Sequence, residues 1–440
     1  MEADRCLTFG DFSLDVPSVG RLLAWLDRPL AKTQADPGSL TVRAAFESAG
    51  AKVNLKKASV TGKAMQIDAK GSFDAGKPTP RFDLDVNIVK ADVDAYLPPA
   101  EKQPAKAAPA VKGKSDWSDE PYDFSGLKAV DGKAAVTISS LTYKGLAIKK
   151  GRIDLTLEKG IAKTKLTDLA LTGGTINAAT VLDGSGKAAK LSYNLDVKNV
   201  EARPLLKAFA DFDRLSGKAN ITAEGASSGR TQRELVKALN GKGSIQFLNG
   251  AIHGINVAAT LRKAGSLGMN DTAGSAQKTD FAELGGTYVI KNGIVDNRDF
   301  KLLAPLLRIT GEGRVPMPPR TVNYKVVAKL VGTLKGQGGK DALAGLPIPI
   351  KITRGWDKPK FDVDWDSVLK SIAADPARLS KLPGALSDKA KDLGIALPKA
   401  GSAGKVLKGL TGDTSGSGDS TTPTTDKKKK VKDLLNSITK

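Results

Sequence analysis

A chain of 440 residues with one cysteine and one histidine has little of what most enzymes use. Cys6 alone excludes a disulfide framework, a cysteine-based zinc site and a thioredoxin-type motif, and it leaves the redox compartment open. His253 alone argues against a metal centre or a catalytic triad, because both recruit imidazole together with partners. It stands in NGAIHGINV, an isolated polar residue near a strand turn. Aromatic residues are only 5% of the chain against 46 glycines and 22 prolines, which suits many short strands joined by turns better than one large α/β core. No window reaches the roughly 18 uninterrupted apolar residues of a spanning helix. Residues 1–10 also lack a basic stretch followed by an apolar core. The expectation is a chain soluble as written, either unanchored or preceded by a targeting segment.

What is abundant is positive charge. With 68 Lys and Arg against 47 Asp and Glu, the formal net charge is +21, which favours anionic partners such as nucleic acid, acidic phospholipid or lipopolysaccharide headgroups. The cations are nevertheless dispersed, mostly alternating with apolar residues as on a solvated face. The one dense cluster, Lys427 to Lys430, reads as a solvated tail or as a contact to an anionic membrane. Neither a recognition helix nor basic residues interleaved with aromatics is present, so nucleic acid is not an expected partner.

Alternation of apolar and polar residues dominates the chain, as it must where a strand has one buried face. Leu40, Val42, Ala44 and Phe46 alternate with polar or small residues, as do Met65, Ile67 and Ala69, and Phe82, Leu84, Val86 and Ile88. The pattern returns at Ile153, Leu155 and Leu157, at Leu191, Tyr193, Leu195 and Val197, and at Tyr324, Val326, Ala328 and Leu330. It recurs at Ile348, Ile350 and Ile352, then at Phe361, Val363 and Trp365. One wet and one apolar face per strand point to antiparallel sheet. Helical patterning is confined to 19–27, 204–212, 231–239 and 366–374, the last with Asp366 placed to cap it.

The fold class that follows is mostly β: repeated antiparallel strands forming an elongated, twisted or curled sheet with an apolar groove and few short helices. KASVTGKAMQIDAKG from Lys57 aligns with DLALTGGTINAATVL from Asp168, and FDLDVNIVKADVDAYL from Phe82 with YNLDVKNVEARPLL from Tyr193. Gly62 and Gly173, and Phe82 and Tyr193, are each 111 apart (173 − 62 and 193 − 82), a constant offset that marks an internal repeat. A more diverged third unit runs over 281–330, with Gly293 lying 133 after Gly160. The expected organisation is a β-rich repeat unit at 1–97, a disordered linker at 98–121 and a second β-rich repeat unit at 122–230. A C-terminal β unit at 231–375, a weakly helical segment at 376–411 and a disordered basic tail at 412–440 complete it.

Repeated strand units that cannot bury their own apolar face stack along one axis. The helices are too few to cover that face, so either the sheet closes on itself as a core or part of the face is left for a ligand. The candidate lining residues are Val136, Ile138, Ile153, Leu155, Leu157, Leu195, Val197, Ile309 and Val326; an aliphatic lining without convergent polar groups suits acyl chains. Two other features read as structural. Asp362, Asp364 and Asp366 are placed on one solvated strand face, rather than at a metal, and Gly311 with Gly313 in ITGEGRV at a strand turn or bulge. No constellation of acid, base and nucleophile is found, so no catalytic residue, metal or cofactor is expected.

From Leu235 onward the wording changes character. LVKALNGKGSIQFLNGAIHGINVAATLRKA, FAELGGTYVIKNGIVDNRDFKLLAPLLRITGEGRV and LPIPIKITRGWDKPKFDVDW together resemble the C-terminal region of the AsmA family. The likeness hangs on residues such as Gly241, Gly243, Asn249, Gly250, Asn292, Gly293, Arg308, Pro347, Pro349, Trp356 and Pro359. It implies an inner-membrane-associated periplasmic protein of a Gram-negative envelope, similar to bridge-like lipid transfer proteins and active in outer-membrane biogenesis. The partners it implies are phospholipid or another acyl lipid and envelope or outer-membrane assembly proteins. Set against that likeness, the family's N-terminal spanning helix and the early part of its groove are expected to lie outside the sequence as given. A non-enzymatic scaffold assisting outer-membrane protein assembly is the alternative.

Overall fold

The alternating segments fold into strands. The computed structural model describes residues 7–27, 30, 35–96, 117–258, 277–331 and 345–373, and in it twenty strands are accompanied by four short α-helices. Residues 97–116 of the linker region and the segments 376–411 and 412–440, Lys427 to Lys430 included, lie outside the described residues. Two compact units are distinguished: residues 1–247 with 288–294, and residues 248–287 with 295–440.

In the first unit, β1 (Leu7–Val16), β2 (Leu40–Ala49), β3 (Lys52–Gly62), β4 (Met65–Asp74) and β5 (Arg81–Asp92) form an antiparallel meander, with α1 (Val19–Trp25) between β1 and β2. A crossover then brings β6 (Asp131–Ile138) parallel to β5. The hairpin of β7 (Leu141–Tyr143) and β8 (Leu146–Ile148) continues beside the end of β5. A second antiparallel meander grows from β6 through β9 (Lys150–Glu158), β10 (Ile161–Leu171), β11 (Gly174–Asp183), β12 (Ala189–Glu201) and β13 (Leu215–Gly229). The tightest reversals have local causes. Lys159 and Gly160 have φ of 51° and 81°, both positive as a two-residue type I′ hairpin requires, and Asn292 and Gly293 repeat this with 49° and 73°.

The 111-residue repeat extends to a defect in the ladder. Against β4, β3 has a bulge between Leu55 and Ala58; against β11, β10 has one between Leu166 and Leu169, and both positions are 111 apart (166 − 55 and 169 − 58). The inserted residue thus belongs to the repeated unit.

Two helices are fastened onto this sheet. In α2 (Ala202–Ala210), which follows β12, Ala202, Leu205 and Ala208 are buried, and Leu205 and Ala208 join Ile138, Leu146, Ile148, Leu171, Ile176, Val197 and Val200 in one apolar cluster. The Asp94 carboxylate accepts the Lys144 and Gly145 N–H groups at 2.6 and 2.7 Å, which pins the β7–β8 hairpin beside that cluster. At α3 (Gln232–Ala238), Thr231 Oγ1 accepts the Glu234 N–H and the Glu234 carboxylate accepts the Arg230 N–H. Arg233 reaches from α3 to Asp119 at 2.6 Å and to the Trp117 carbonyl at 2.8 Å, so the last residues of the expected linker are held against this helix.

The second unit contains β17 (Leu307–Pro316), β18 (Thr321–Leu330), β19 (Pro347–Gly355) and β20 (Lys360–Val363) as an antiparallel ladder, followed by α4 (Trp365–Ala373). It also holds most of β16 (Ile294–Ala304); β14 (Asn240–His253) and β15 (Lys278–Lys291) contribute residues to both units. Val368, Leu369 and Ile372 of α4 are sealed from solvent. Sequence alternation places Trp365 on a strand and the cap at Asp366. Instead β20 ends at Val363, and Asp364 caps the helix by accepting the Ser367 N–H at 3.2 Å and its hydroxyl at 2.8 Å. Of the three aspartates read as one face, only Asp362 is therefore on a strand, paired with Lys360 at 2.7 Å. Gly311 and Gly313 also depart from expectation. Both lie inside the unbroken β17–β18 register, where the Tyr324 ring lies across them and leaves no room for a Cβ.

Candidate functional site: an uncharged sheet face

Side chains directly opposite one another across a ladder share a face, so the register can be followed from strand to strand. One row runs from β1 to β13 as Phe12, Ala44, Ala58, Ala69, Val86, Val136, Ile153, Leu166, Ala178, Leu195 and Ala223. Eleven strands contribute, and every member is apolar. A parallel row reads Phe46, Leu55, Gly71, Leu84, Ala134 and Leu155, then turns to hydroxyls at Thr164, Thr180 and Tyr193. Neither row contains Asp, Glu, Lys or Arg. Charges gather on the other face, where Lys70 faces Asp85 at 3.5 Å and Lys133 faces Asp83 at 3.1 Å.

Exposure varies along this face. Where α2 and the β7–β8 hairpin cover it, Ile138 and Val197 are each 3% exposed. Val136, Ile153, Leu166 and Leu195 of the long row pack against that cluster and are half-buried; Ala44, Ala58, Ala69, Val86, Ala178 and Ala223 are half-buried as well, and Phe12 on β1 is 50% exposed. None of these row residues is sealed from solvent as Ile138 and Val197 are. The face thus has a closed end and an open apolar stretch. Burial raises the pKa of the Tyr193 phenol on this face above its ordinary value.

Comparison with known proteins fits this architecture. The AsmA family model matches residues 39–300, well over half of the chain. The chain belongs to the AsmA family. Protein AsmA of Escherichia coli (strain K12) is 20% identical over 313 residues, which are 68% of this chain and 51% of that protein. This AsmA-family chain therefore spans about half the length of the curated relative it matches. No solved structure matches it. The family match reaches far ahead of Leu235, where the worded resemblance begins, and takes in the whole row from β2 to β13.

Seven of the nine candidate lining residues of the AsmA-family chain fall on the uncharged face. Val136, Ile153 and Leu195 occupy the long row, Leu155 the next one, and Leu157 lies opposite Gly132 and Ala162 at the following position. Ile138 and Val197 belong to the cluster beneath α2. Ile309 and Val326 are in the second unit, where Ile309 faces Ala328, and Val326 faces Gly311 and Ile350. Sequence reasoning did not name Phe12, Ala44, Ala58, Ala69, Val86, Leu166, Ala178 or Ala223 as lining, although it placed Ala44, Ala69 and Val86 on apolar strand faces. Leu166 was hidden by the adjacent bulge, which shifts the alternation.

Elsewhere the polar chemistry is self-contained. In the second unit an open cleft of about 400 Å³ is lined by residues including Asp296, Arg298, Glu312, Arg314 and Lys325. Arg298 and Arg314 each reach Asp296 at 3.0 Å and hold its carboxyl below the usual aspartate range. Burial, with Asp299 and Glu312 nearby, pushes the Tyr324 phenol up to about 12. Among the described residues no group of three His, Cys, Asp or Glu is placed to hold a metal ion. No described helix is long and apolar enough to cross a membrane.

Proposed function

We propose that this AsmA-family chain binds phospholipid, or another acyl lipid, along the uncharged face of its first unit, and conducts it between the inner and outer membranes of a Gram-negative envelope. One observation carries the reading: a half-open apolar surface runs across eleven strands without a charged side chain in either row. An acyl chain gains about 0.8 kcal/mol for each buried methylene and needs no directional partner, so a plain aliphatic row is enough to hold it. The adjoining hydroxyls of Thr164, Thr180 and Tyr193 can hydrogen-bond to ester or headgroup oxygens without selecting by charge. Periplasmic location and association with the inner membrane belong to the same proposal, through the family likeness.

Native mass spectrometry and lipid extraction of the gently purified full chain test it, with phospholipid as the expected co-purifying species. Leu155→Asp, on the half-open part of the face, is expected to fold and to lose that lipid. Val197→Asp, beneath α2, is expected to unfold the first unit. If Leu155→Asp unfolds as well, the face is ordinary core and the scaffold reading takes its place.

A further inference from the structure

We propose that the hydroxyls of Tyr193 and Tyr288 hold the ester carbonyl of an acyl lipid over a floor made by Gly225, Gly241 and Gly243, a site that rests on the lipid-binding reading and fixes where on the uncharged face the lipid's polar end lies. All five residues belong to the first unit, Tyr288 through the segment 288–294.

The two rows of the face reach β13 at Ala223, opposite Leu195, and at Gly225, opposite Tyr193. On the other face Thr222 and Ser244 share a hydroxyl hydrogen bond of 2.8 Å, and Glu224 pairs with Lys242 at 3.1 Å. Strand alternation then sets Gly243 of β14 beside Ala223 and Gly241 beside Gly225. Both rows therefore lose their side chains at β14, and the backbone itself becomes the surface, as where a chain must let a ligand come close. The two phenols lie over this floor: a Cβ on Gly225 would stand 2.7 Å from the Tyr193 Oη, and one on Gly243 would stand 2.5 Å from the Tyr288 Oη.

Both tyrosines are half-buried, and among the described residues neither hydroxyl has a hydrogen-bond partner. Tyr324 of the second unit shows the satisfied version of the same arrangement: it too lies across glycines, and its hydroxyl donates to the Asn297 Oδ1. A half-buried phenol ordinarily finds a partner, so Tyr193 and Tyr288 present two donors to an incoming acceptor. Burial raises the pKa of both, and the neighbouring Tyr193 adds to the rise at Tyr288, with no charged side chain among the causes at either residue. The acceptor that fits is neutral. Neither row carries a cation, and a phosphate or carboxylate brought here would lose hydration that nothing replaces. An ester carbonyl has lone pairs, no charge and no proton to give. Leu195 and the aliphatic residues beyond it on the long row supply the surface for the chain attached to that carbonyl.

The test loads the delipidated full chain with an equimolar mixture of dipalmitoyl phosphatidylcholine and its dialkyl ether counterpart, which has the same headgroup and chain length but no carbonyl. Native mass spectrometry reads the ratio of the two bound lipids. The ester lipid should be favoured about tenfold, the effect of two ordinary hydrogen bonds. The double variant Tyr193→Phe, Tyr288→Phe keeps both rings over the glycines and should bind the two lipids alike. If it fails to fold by circular dichroism, the single variants carry the same comparison, each with a preference between those of the unchanged chain and of equal binding. Equal binding of both lipids by the unchanged chain, or a preference that survives the phenylalanine variants, overturns the proposal and leaves the lipid-binding reading in place. Binding of neither lipid overturns both.

Discussion

Asp364 decides where the last strand of the second unit turns into helix, and its charge decides when. The two hydrogen bonds from Ser367 hold its carboxyl below the ordinary aspartate value of 3.8. A lowered folded-state pKa contributes stability that is complete above the unfolded value and is lost as pH falls through the folded one. Asp364→Ala is expected to cost about 1 kcal/mol, the usual effect of removing a helix cap. Asp364→Asn should keep most of the cap and lose the acid dependence; urea melts at pH 7 and pH 3 check both variants. The cap was not legible in the sequence, because the alternation through Phe361 and Val363 runs on to Trp365 without a break. Trp365 suits a strand and a buried helix start equally well, and only the Ser367 contact separates them.

At the scale of elements, the helices act as covers for particular stretches of sheet. α2 closes one end of the uncharged face by burying Leu205 and Ala208 against Val197 and Val200. Leu205→Ala should therefore cost about 2–5 kcal/mol, the range for truncating a buried leucine, and should lower the thermal midpoint followed by circular dichroism. Most strands were legible, since period-two alternation directly reports a half-buried sheet, and helices α1, α2 and α3 lie within two residues of where periodicity puts them. Register was not legible. The bulges at Leu55/Ala58 and Leu166/Leu169 shift the alternation, and the parallel pairing of β5 with β6 has no local signal. Alternation alone could not tell Ile138 and Val197, which α2 covers, from Leu155, which it leaves half open.

On the scale of the whole molecule, charge and apolar surface are kept apart, and they should answer to different solution conditions. The net charge of +21 predicts association with anionic phospholipid vesicles that weakens steeply as salt rises to about 0.5 M, where screening acts within a few ångströms. Lipid held on the uncharged face should be retained through the same titration. Vesicle co-flotation and lipid extraction at each salt concentration separate the two modes. The crossover from β5 to β6 has a consequence for assembly. Each meander of the first unit closes through local hairpins, but the parallel seam must wait for the roughly forty residues between Asp92 and Asp131 to bring their ends together, which is slow and entropically costly. Until then each half-sheet keeps one unpaired border, and the Lys133–Asp83 ion pair across the seam, at 3.1 Å, forms only when the two meet.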